Sequence, residues 1–267
     1  MSGHVDHSVE LVADTNVLIL DTALLTVHGV SLVSGESLAF AYGQTDSTFG
    51  TPLQITLPAG SKKGDKFDVR VKYTTSPSAG AIQWLPPAQT KGGKYPYLFT
   101  QCQAIHCRSM VPIQDSPSQK FTYSAEIDVA APLVALMSAE QISSKPVDGG
   151  LIQYSFNQKV PIPSYLLALA VGQLEKRQIG PRSHVWSEAA MVEDGAFEFS
   201  ETEKFIAAGE AICGPYVWGH YDILLLPPSF PYGGMEVRRN QEYYDWQAER
   251  SHYSDMLTFF ASLFCVC

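Results

Sequence analysis

Short apolar runs and strict two-residue alternation fill the first two thirds of the chain. Phe67–Tyr73 and Phe121–Val129 alternate between apolar and polar side chains, which is the pattern of strands with one buried face. Other short apolar runs are also typical of strands, and they are Val9–Val12, Val17–Leu20, Leu25–Val27, Leu53–Leu57, Val134–Met137, Leu151–Phe156 and Tyr165–Val171. Turn residues separate the runs, as at Pro58–Gly60 and Asp148–Gly150. This spacing predicts an antiparallel β domain.

The pattern becomes mixed α/β after about Gly180. Ser200–Glu203 matches a capping box, and the residues behind it predict a helix over Glu201–Ile212. A strand is predicted at Tyr221–Leu226, where two prolines follow. From Arg238 onward, apolar residues recur near helical spacing and predict a helix with one apolar face. These residues are Trp246, Tyr253, Met256, Leu257, Phe260, Leu263 and Phe264.

Composition narrows the classes of function. The 267 residues carry a net charge of -9, which argues against a nucleic-acid partner because phosphate binding needs a basic face. The five cysteines form no CxxC pair and no regular disulfide framework, so a reducing compartment is expected. The N-terminus lacks the features of a signal peptide, and no apolar run reaches the ~18 residues of a membrane span. We therefore expect a globular cytoplasmic protein with no membrane partner.

Two local patterns contain candidate binding residues. In the first, Gln101 and Gln103 point to the same side if their segment is extended, and their amides suit a peptide backbone or a carboxyl group. In the second, Phe230–Glu236, paired glycines allow close approach of a ligand, and Glu236 could bind an ammonium group or act as a base. Taken alone, the patterns also fit two exposed strand residues and an ordinary surface turn.

Together the two patterns resemble the leukotriene A4 hydrolase and aminopeptidase B branch of the M1 zinc aminopeptidases. Further segments carry the resemblance in the same order, and they are Ala81–Leu85, Tyr95–Phe99, Val134–Ala139, Lys159–Pro163, Gln178–Arg182, Val185–Glu188, Glu198–Glu203, Gly214–Trp218 and Leu226–Glu236. The resemblance extends over roughly residues 3 to 236. The resemblance is highly specific, because the matching segments are long and occur in the same order as in the family.

The resemblance implies a mainly β fold class. Residues 1–174 would form a saddle-like antiparallel β domain whose opening strands are missing. Residues 175–236 would begin an incomplete α/β thermolysin-like catalytic segment. Residues 237–267 differ from the family, beginning with Val237 in place of an asparagine, and form a divergent tail.

The same resemblance implies roles for individual residues. Gln101 and Gln103 would line the substrate cleft, and the exopeptidase loop would comprise Tyr232, Gly233, Gly234, Met235 and Glu236. The two glycines would offer backbone contacts to substrate. Glu236 would bind the free α-amino group of a peptide, which restricts cleavage to the N-terminus. Peptide N-termini are therefore the expected partners, bound weakly.

The zinc motif of the family is absent from this sequence. Members of the family carry HExxH, in which two histidines bind zinc and the glutamate activates water, but none of the seven histidines here is followed by glutamate. We therefore expect no resident cofactor, although full-length members hold zinc, and no aminopeptidase or epoxide hydrolase activity from this chain alone. The alternatives are a non-catalytic peptide-binding or partner-binding isoform, and a partial product of an active zinc aminopeptidase gene. Self-association through exposed apolar surface is a further expectation.

Overall fold

The computed structural model describes residues 1–230, together with the backbone of two short strands at Gly234–Met235 and Leu263–Val266. The chain divides into two compact units, each assembled from several segments. The first unit comprises Met1–Gln83, Thr100–Phe121 and Ile162–Leu167, and the second comprises Trp84–Phe99, Thr122–Pro161 and Ala168–Cys267.

Antiparallel strands build the first unit. They are β1 (Ser2–Glu10), β2 (Val17–Thr22), β3 (Leu25–Leu32), β4 (Phe40–Tyr42), β5 (Thr51–Thr56) and β6 (Lys66–Thr75). The strands form two sheets, with orders β1-β6-β3 and β2-β5-β4. Alternation in β5 buries Leu53 and Ile55, and alternation in β6 buries Val69 and Val71, so both sheets contribute to one core. The two-residue period of the sequence thus produces a β sandwich.

The next strands make two further sheets. These strands, some of which begin or end in the first unit, are β7 (Ile82–Leu85), β8 (Tyr97–Thr100), β9 (Lys120–Ala130), β10 (Val134–Met137), β11 (Glu140–Val147), β12 (Leu151–Pro163) and β13 (Leu169–Gly172). Their orders are β10-β13-β8-β7 and β11-β12-β9. Every residue of β8 and β13 is buried, which explains why these strands are continuous apolar runs rather than alternating ones.

The last sheet of the second unit is mixed. Its elements are β14 (Leu174–Gln178), β15 (Ser183–Glu188), α1 (Val192–Glu198), α2 (Thr202–Cys213), β16 (Tyr221–Leu225), β17 (Gly234–Met235) and β18 (Leu263–Val266). The strand order is β14-β15-β16-β18-β17, and β15 runs parallel to β16 with both helices in the connection. Such a crossover is the usual way to join parallel neighbours.

The fold confirms the predicted class and most predicted elements. The structure is mainly β with antiparallel sheets, and mixed α/β order follows the β segments. The helix predicted over Glu201–Ile212 is α2, and the strand predicted over Tyr221–Leu226 is β16. That this region opens a thermolysin-like catalytic domain stays a prediction, as does the proposed boundary at residue 174. Among the described residues, no helix is long and apolar enough to cross a membrane.

The capping box predicted for α2 is wrong. The N-cap residue is Glu201, and no side chain caps the helix. The Glu203 carboxylate instead accepts hydrogen bonds from the backbone N–H of Arg182, at 3.1 Å, and from the Ser183 hydroxyl, at 2.6 Å. Tertiary contacts to the start of β15 therefore replace the hydrogen bond that a capping box would make. The short helix α1, which the pattern did not predict, precedes α2.

Two other predicted elements differ from the structure. The strand predicted over Tyr165–Val171 begins only at Leu169, because a 3-10 helix occupies Ser164–Leu166. The helix predicted in the tail lies mostly outside the described residues, but its last two members, Leu263 and Phe264, lie in strand β18. Strand β18 pairs antiparallel with β16, so the hydrogen-bonding edge of β16 overrides the helical spacing at that end.

The half-buried imidazole of His7 on β1 predicts a pH dependence of stability. Burial lowers the pKa of His7 below its ordinary 6.5, and the bond between its Nε2 and the Pro112 carbonyl oxygen, at 2.8 Å, only partly offsets this. As pH falls below 6.5 the unfolded chain takes up this proton first, so the contribution present above 6.5 is lost. Urea unfolding at pH 8 and pH 5 should show a smaller loss in His7→Gln, whose amide still donates but does not titrate. An equal loss in both proteins would contradict this.

Candidate functional site

The segment from Gln101 to Ser109 is fixed to Ala81 at both ends. The backbone N–H of Gln101 donates to the Ala81 carbonyl oxygen at 2.8 Å, and the backbone N–H of Ala81 donates to the Ser109 hydroxyl at 2.9 Å. Within the segment, the backbone N–H of His106 donates to the Cys102 carbonyl oxygen at 2.8 Å. The loop therefore forms a defined platform immediately after β8.

The side-chain amide of Gln101 has a defined orientation. Its Oε1 accepts the backbone N–H of Gln103 at 2.8 Å, and only the oxygen end of the amide can accept that hydrogen. The other end, Nε2, is buried and has no hydrogen-bond partner among the described residues. Because buried amide groups are almost always hydrogen-bonded, this Nε2 is available to an acceptor that the described residues do not supply, such as water or a ligand.

The two glutamines are not arranged as an extended segment would place them. Residues 103–106 form a turn, and the peptide bond between Gln103 and Ala104 is cis. Gln101 and Gln103 are brought together by a side-chain-to-backbone bond instead of lying side by side on a strand. Both residues are half-buried, so both remain accessible to a ligand.

A buried ion pair supports this loop from below. Arg108 and Asp115 are 5% and 3% exposed, and the Arg108 Nε lies 3.1 Å from the Asp115 Oδ2. The Asp115 carboxylate also accepts the Arg108 backbone N–H and the Ser164 hydroxyl. This pair was not predicted from the sequence, although an arginine and an aspartate between buried apolar residues are a recognisable signal.

The Gln101–Ser109 segment contains two buried cysteines. Cys102 and Cys107 are fully buried free thiols. The neighbouring Cys102 and burial raise the pKa of Cys107, which keeps its thiol protonated. Since the thiolate is the reactive form, the protonated Cys107 is not a nucleophile.

The predicted exopeptidase loop is described only in part. Gly234 and Met235 form β17, whose backbone pairs in parallel with Leu263 and Phe264 of β18. Tyr232, Gly233 and Glu236 lie outside the described residues. The roles that the resemblance implies for these five residues therefore stay predictions.

The described residues do not fit the zinc of the resembled family. No HExxH motif exists in the sequence. Within the part of the chain that the structure describes, no three His, Cys, Asp or Glu side chains are grouped so that they could hold a metal ion.

Comparisons with known proteins agree with the family resemblance seen in the sequence segments. The profile of the Peptidase M1 N-terminal domain matches residues 1–166. The chain is 52% identical over 221 residues to a leukotriene A-4 hydrolase from Xenopus laevis, covering 82% of this chain and 36% of that protein. It is 48% identical over 237 residues to a leucine aminopeptidase 2 from Yarrowia lipolytica, covering 88% and 35%.

Solved structures give the same answer. Native yeast LTA4 hydrolase superposes with a TM-score of 0.79 at 40% identity, over 88% of this chain and 36% of that chain. The chain thus spans about a third of the length of the relatives it matches. By profile, sequence and fold, the chain belongs to the M1 peptidase family, in its leukotriene A4 hydrolase branch, and contains that family's N-terminal domain.

Proposed function

We propose that this chain recognises the N-terminal end of peptides, as the leading part of an M1 aminopeptidase. Membership of a branch that includes a leucine aminopeptidase supports a peptide ligand. The observation that carries the proposal is the unpartnered, buried Nε2 of Gln101, on a loop fixed at both ends to Ala81. Because the loop already holds this donor in place, little conformational entropy is lost when a ligand binds.

The chemistry of Gln101 selects an acceptor. Its Oε1 is already occupied by the Gln103 N–H, so only the two Nε2 hydrogens are available. These hydrogens suit a peptide carbonyl oxygen or a carboxylate, and not an ammonium group. The ammonium group needs a carboxylate, and the family resemblance assigns that role to Glu236, with Gly233 and Gly234 offering backbone contacts to the substrate.

Peptide binding by this chain is proposed not to lead to cleavage. Hydrolysis in this family depends on a zinc-bound water, and the residues here lack the motif that would hold the metal. The activities named for the relatives, leukotriene A4 hydrolysis and leucine aminopeptidase action, are therefore proposals for a longer protein. Incubating the chain with a tripeptide and Zn²⁺ should release no N-terminal residue.

The effect of Gln101 on affinity tests the proposal. Wild-type affinity for a tripeptide with a free amino group should lie in the millimolar range, roughly 4 kcal/mol. Gln101→Ala removes the donor and should weaken binding by about tenfold, since a buried bond contributes ~1 kcal/mol or more. Titration followed by amide resonances measures both values.

Gln141→Ala is the matched control. Gln141 is exposed on β11 and is not assigned to binding, so its loss should leave the affinity unchanged. Equal binding by wild-type chain and Gln101→Ala, with a folded spectrum in each, would remove Gln101 from the site. Equal weakening in both variants would show that the effect is not local.

A cytoplasmic location and self-association are proposed on separate grounds. Cys102, Cys107 and Cys213 are all free thiols, which suits a reducing compartment. Cell fractionation tests the location. Self-association is supported by two apolar side chains on α2, because Phe205 is 76% exposed and Ile212 is 85% exposed.

A further inference from the structure

A histidine and a carboxylate face each other on the last sheet. His184 on β15 and Asp222 on β16 are register partners, and the His184 Nδ1 lies 2.8 Å from the Asp222 Oδ1. The second oxygen, Oδ2, accepts the indole N–H of Trp186 at 3.0 Å. Both side chains of the pair are 16% exposed. The carboxylate is therefore held at both oxygens, and it fixes the imidazole in turn.

This contact determines which ring nitrogen of His184 is available. A carboxylate accepts the hydrogen on Nδ1, so Nε2 of the neutral ring keeps its lone pair. A carboxylate, an imidazole and a metal ion in line are the usual arrangement of a histidine ligand with its outer partner, because the carboxylate orients the ring and raises its basicity. Asp222 supplies this outer partner without occupying a coordination position itself.

A second imidazole lies beside the first. His220 precedes Asp222 by two residues, and its ring centroid is 6.3 Å from that of His184, with 38° between the ring planes. The Tyr216 hydroxyl donates to the His220 carbonyl oxygen at 3.2 Å, which holds the backbone there. Two imidazole nitrogens on one Zn²⁺ lie roughly 3.3 Å apart. Binding would require the exposed His220 side chain to move to this separation by a change of rotamer.

We propose that His184 and His220 bind a divalent transition-metal ion of the Zn²⁺ class, with Asp222 orienting His184. Imidazole nitrogens suit Zn²⁺, Cu²⁺ and Ni²⁺, and not the oxygen-seeking Mg²⁺ or Ca²⁺. No third His, Cys, Asp or Glu completes the group within the described residues, so the proposed site has two protein ligands there. The Lys176 ammonium, 3.9 Å from the Asp222 Oδ2, opposes the ion and keeps the affinity modest.

The test uses the full chain and Zn²⁺ as the probe. Titration calorimetry gives stoichiometry and affinity, and the ring ¹⁵N signals of the seven histidines show which ones respond. One equivalent should shift His184 Nε2 and His220 first. His184→Gln and His220→Gln should each weaken binding at least about tenfold, and Asp222→Asn by about tenfold, because loss of an outer carboxylate has that effect.

Two controls separate this site from adventitious binding. His28→Gln removes an exposed histidine of β3, whose ring contacts Thr74 on the neighbouring strand β6. These strands belong to a different sheet from His184, so the substitution should leave Zn²⁺ binding unchanged. His220 is itself exposed, so His220→Gln should keep the wild-type melting temperature, and its effect cannot come from misfolding. Absence of saturable binding, or binding that survives both His184→Gln and His220→Gln, would overturn the proposal.

Discussion

Replacing Asp115 with alanine should destabilise the first unit by about 3–5 kcal/mol, as expected when a buried charge loses its partner. The Asp115 side chain is fully inaccessible, and its carboxylate contacts the Arg108 side chain and backbone and the Ser164 hydroxyl. Alanine leaves the Arg108 guanidinium buried. A second carboxylate, that of Asp21, lies 3.7 Å from the Arg108 Nη1 and should keep the loss near the lower end. Urea unfolding measures the change.

An exposed ion pair provides the control for Asp115. Glu140 and Lys159 lie 3.1 Å apart with side chains 43% and 67% exposed, so Glu140→Gln should change stability by less than about 1 kcal/mol. If Asp115→Ala cost no more than Glu140→Gln, the buried pair would not stabilise this unit. The Gln101 loop should also lose order in Asp115→Ala, because Arg108 lies in the same loop.

A methyl group at Gly172 should destabilise the second unit by about 1–3 kcal/mol. This is the opposite of the usual effect, because alanine in a strand is normally more stable than glycine. A Cβ there would lie 2.7 and 2.8 Å from two ring carbons of Tyr97. Tyr97 is 1% exposed, and its rigid ring cannot move aside without displacing β8. Thermal or urea unfolding of Gly172→Ala measures the effect.

Gly3→Ala is the matched substitution for Gly172→Ala. Gly3 also lies in a strand, and a Cβ there would meet nothing within 4 Å. Its stability should be unchanged or slightly raised. A Gly172→Ala protein as stable as Gly3→Ala would mean that the Tyr97 ring has room to move.

The strands could be predicted from the sequence because burial in this chain follows simple periods. The alternating segments Phe67–Tyr73 and Phe121–Val129 correspond to β6 and β9, and in each strand one face is more buried than the other. The fully buried β13 was harder, since the run Tyr165–Val171 has no period that marks where the 3-10 helix gives way to the strand.

The helices show where local rules are insufficient. Ser200–Glu203 has the composition of a capping box, yet Glu203 bonds to Arg182 and Ser183, which are distant in sequence. Helix α1 contains Gly195, a poor helix former, but a Cβ at that position would lie 2.4 Å from a methyl carbon of Leu225. A glycine at this position therefore suits the close packing of α1 against Leu225, although it makes the helix hard to predict.

The site residues stay predictions, and the geometry around Gln101 could not be predicted from the sequence. The two local patterns and the further matching segments were together sufficient to place the chain in its family, and the family comparisons confirm that assignment. The bond from the Gln103 N–H to the Gln101 amide, and the two bonds to Ala81, depend on a turn and on contacts that no local pattern encodes. The same holds for His184 and Asp222, which meet only because β15 and β16 are neighbours.

Binding of a free-amine tripeptide and of its N-acetylated twin to the full chain tests most directly whether this protein recognises peptide N-termini. The account predicts saturable, millimolar binding of the free amine, with changes in the amide resonances of Gln101 and Gln103, and binding of the acetylated peptide weaker by about tenfold, since it lacks the charged ammonium group. Equal affinity for the two peptides, or no binding of either, would contradict it.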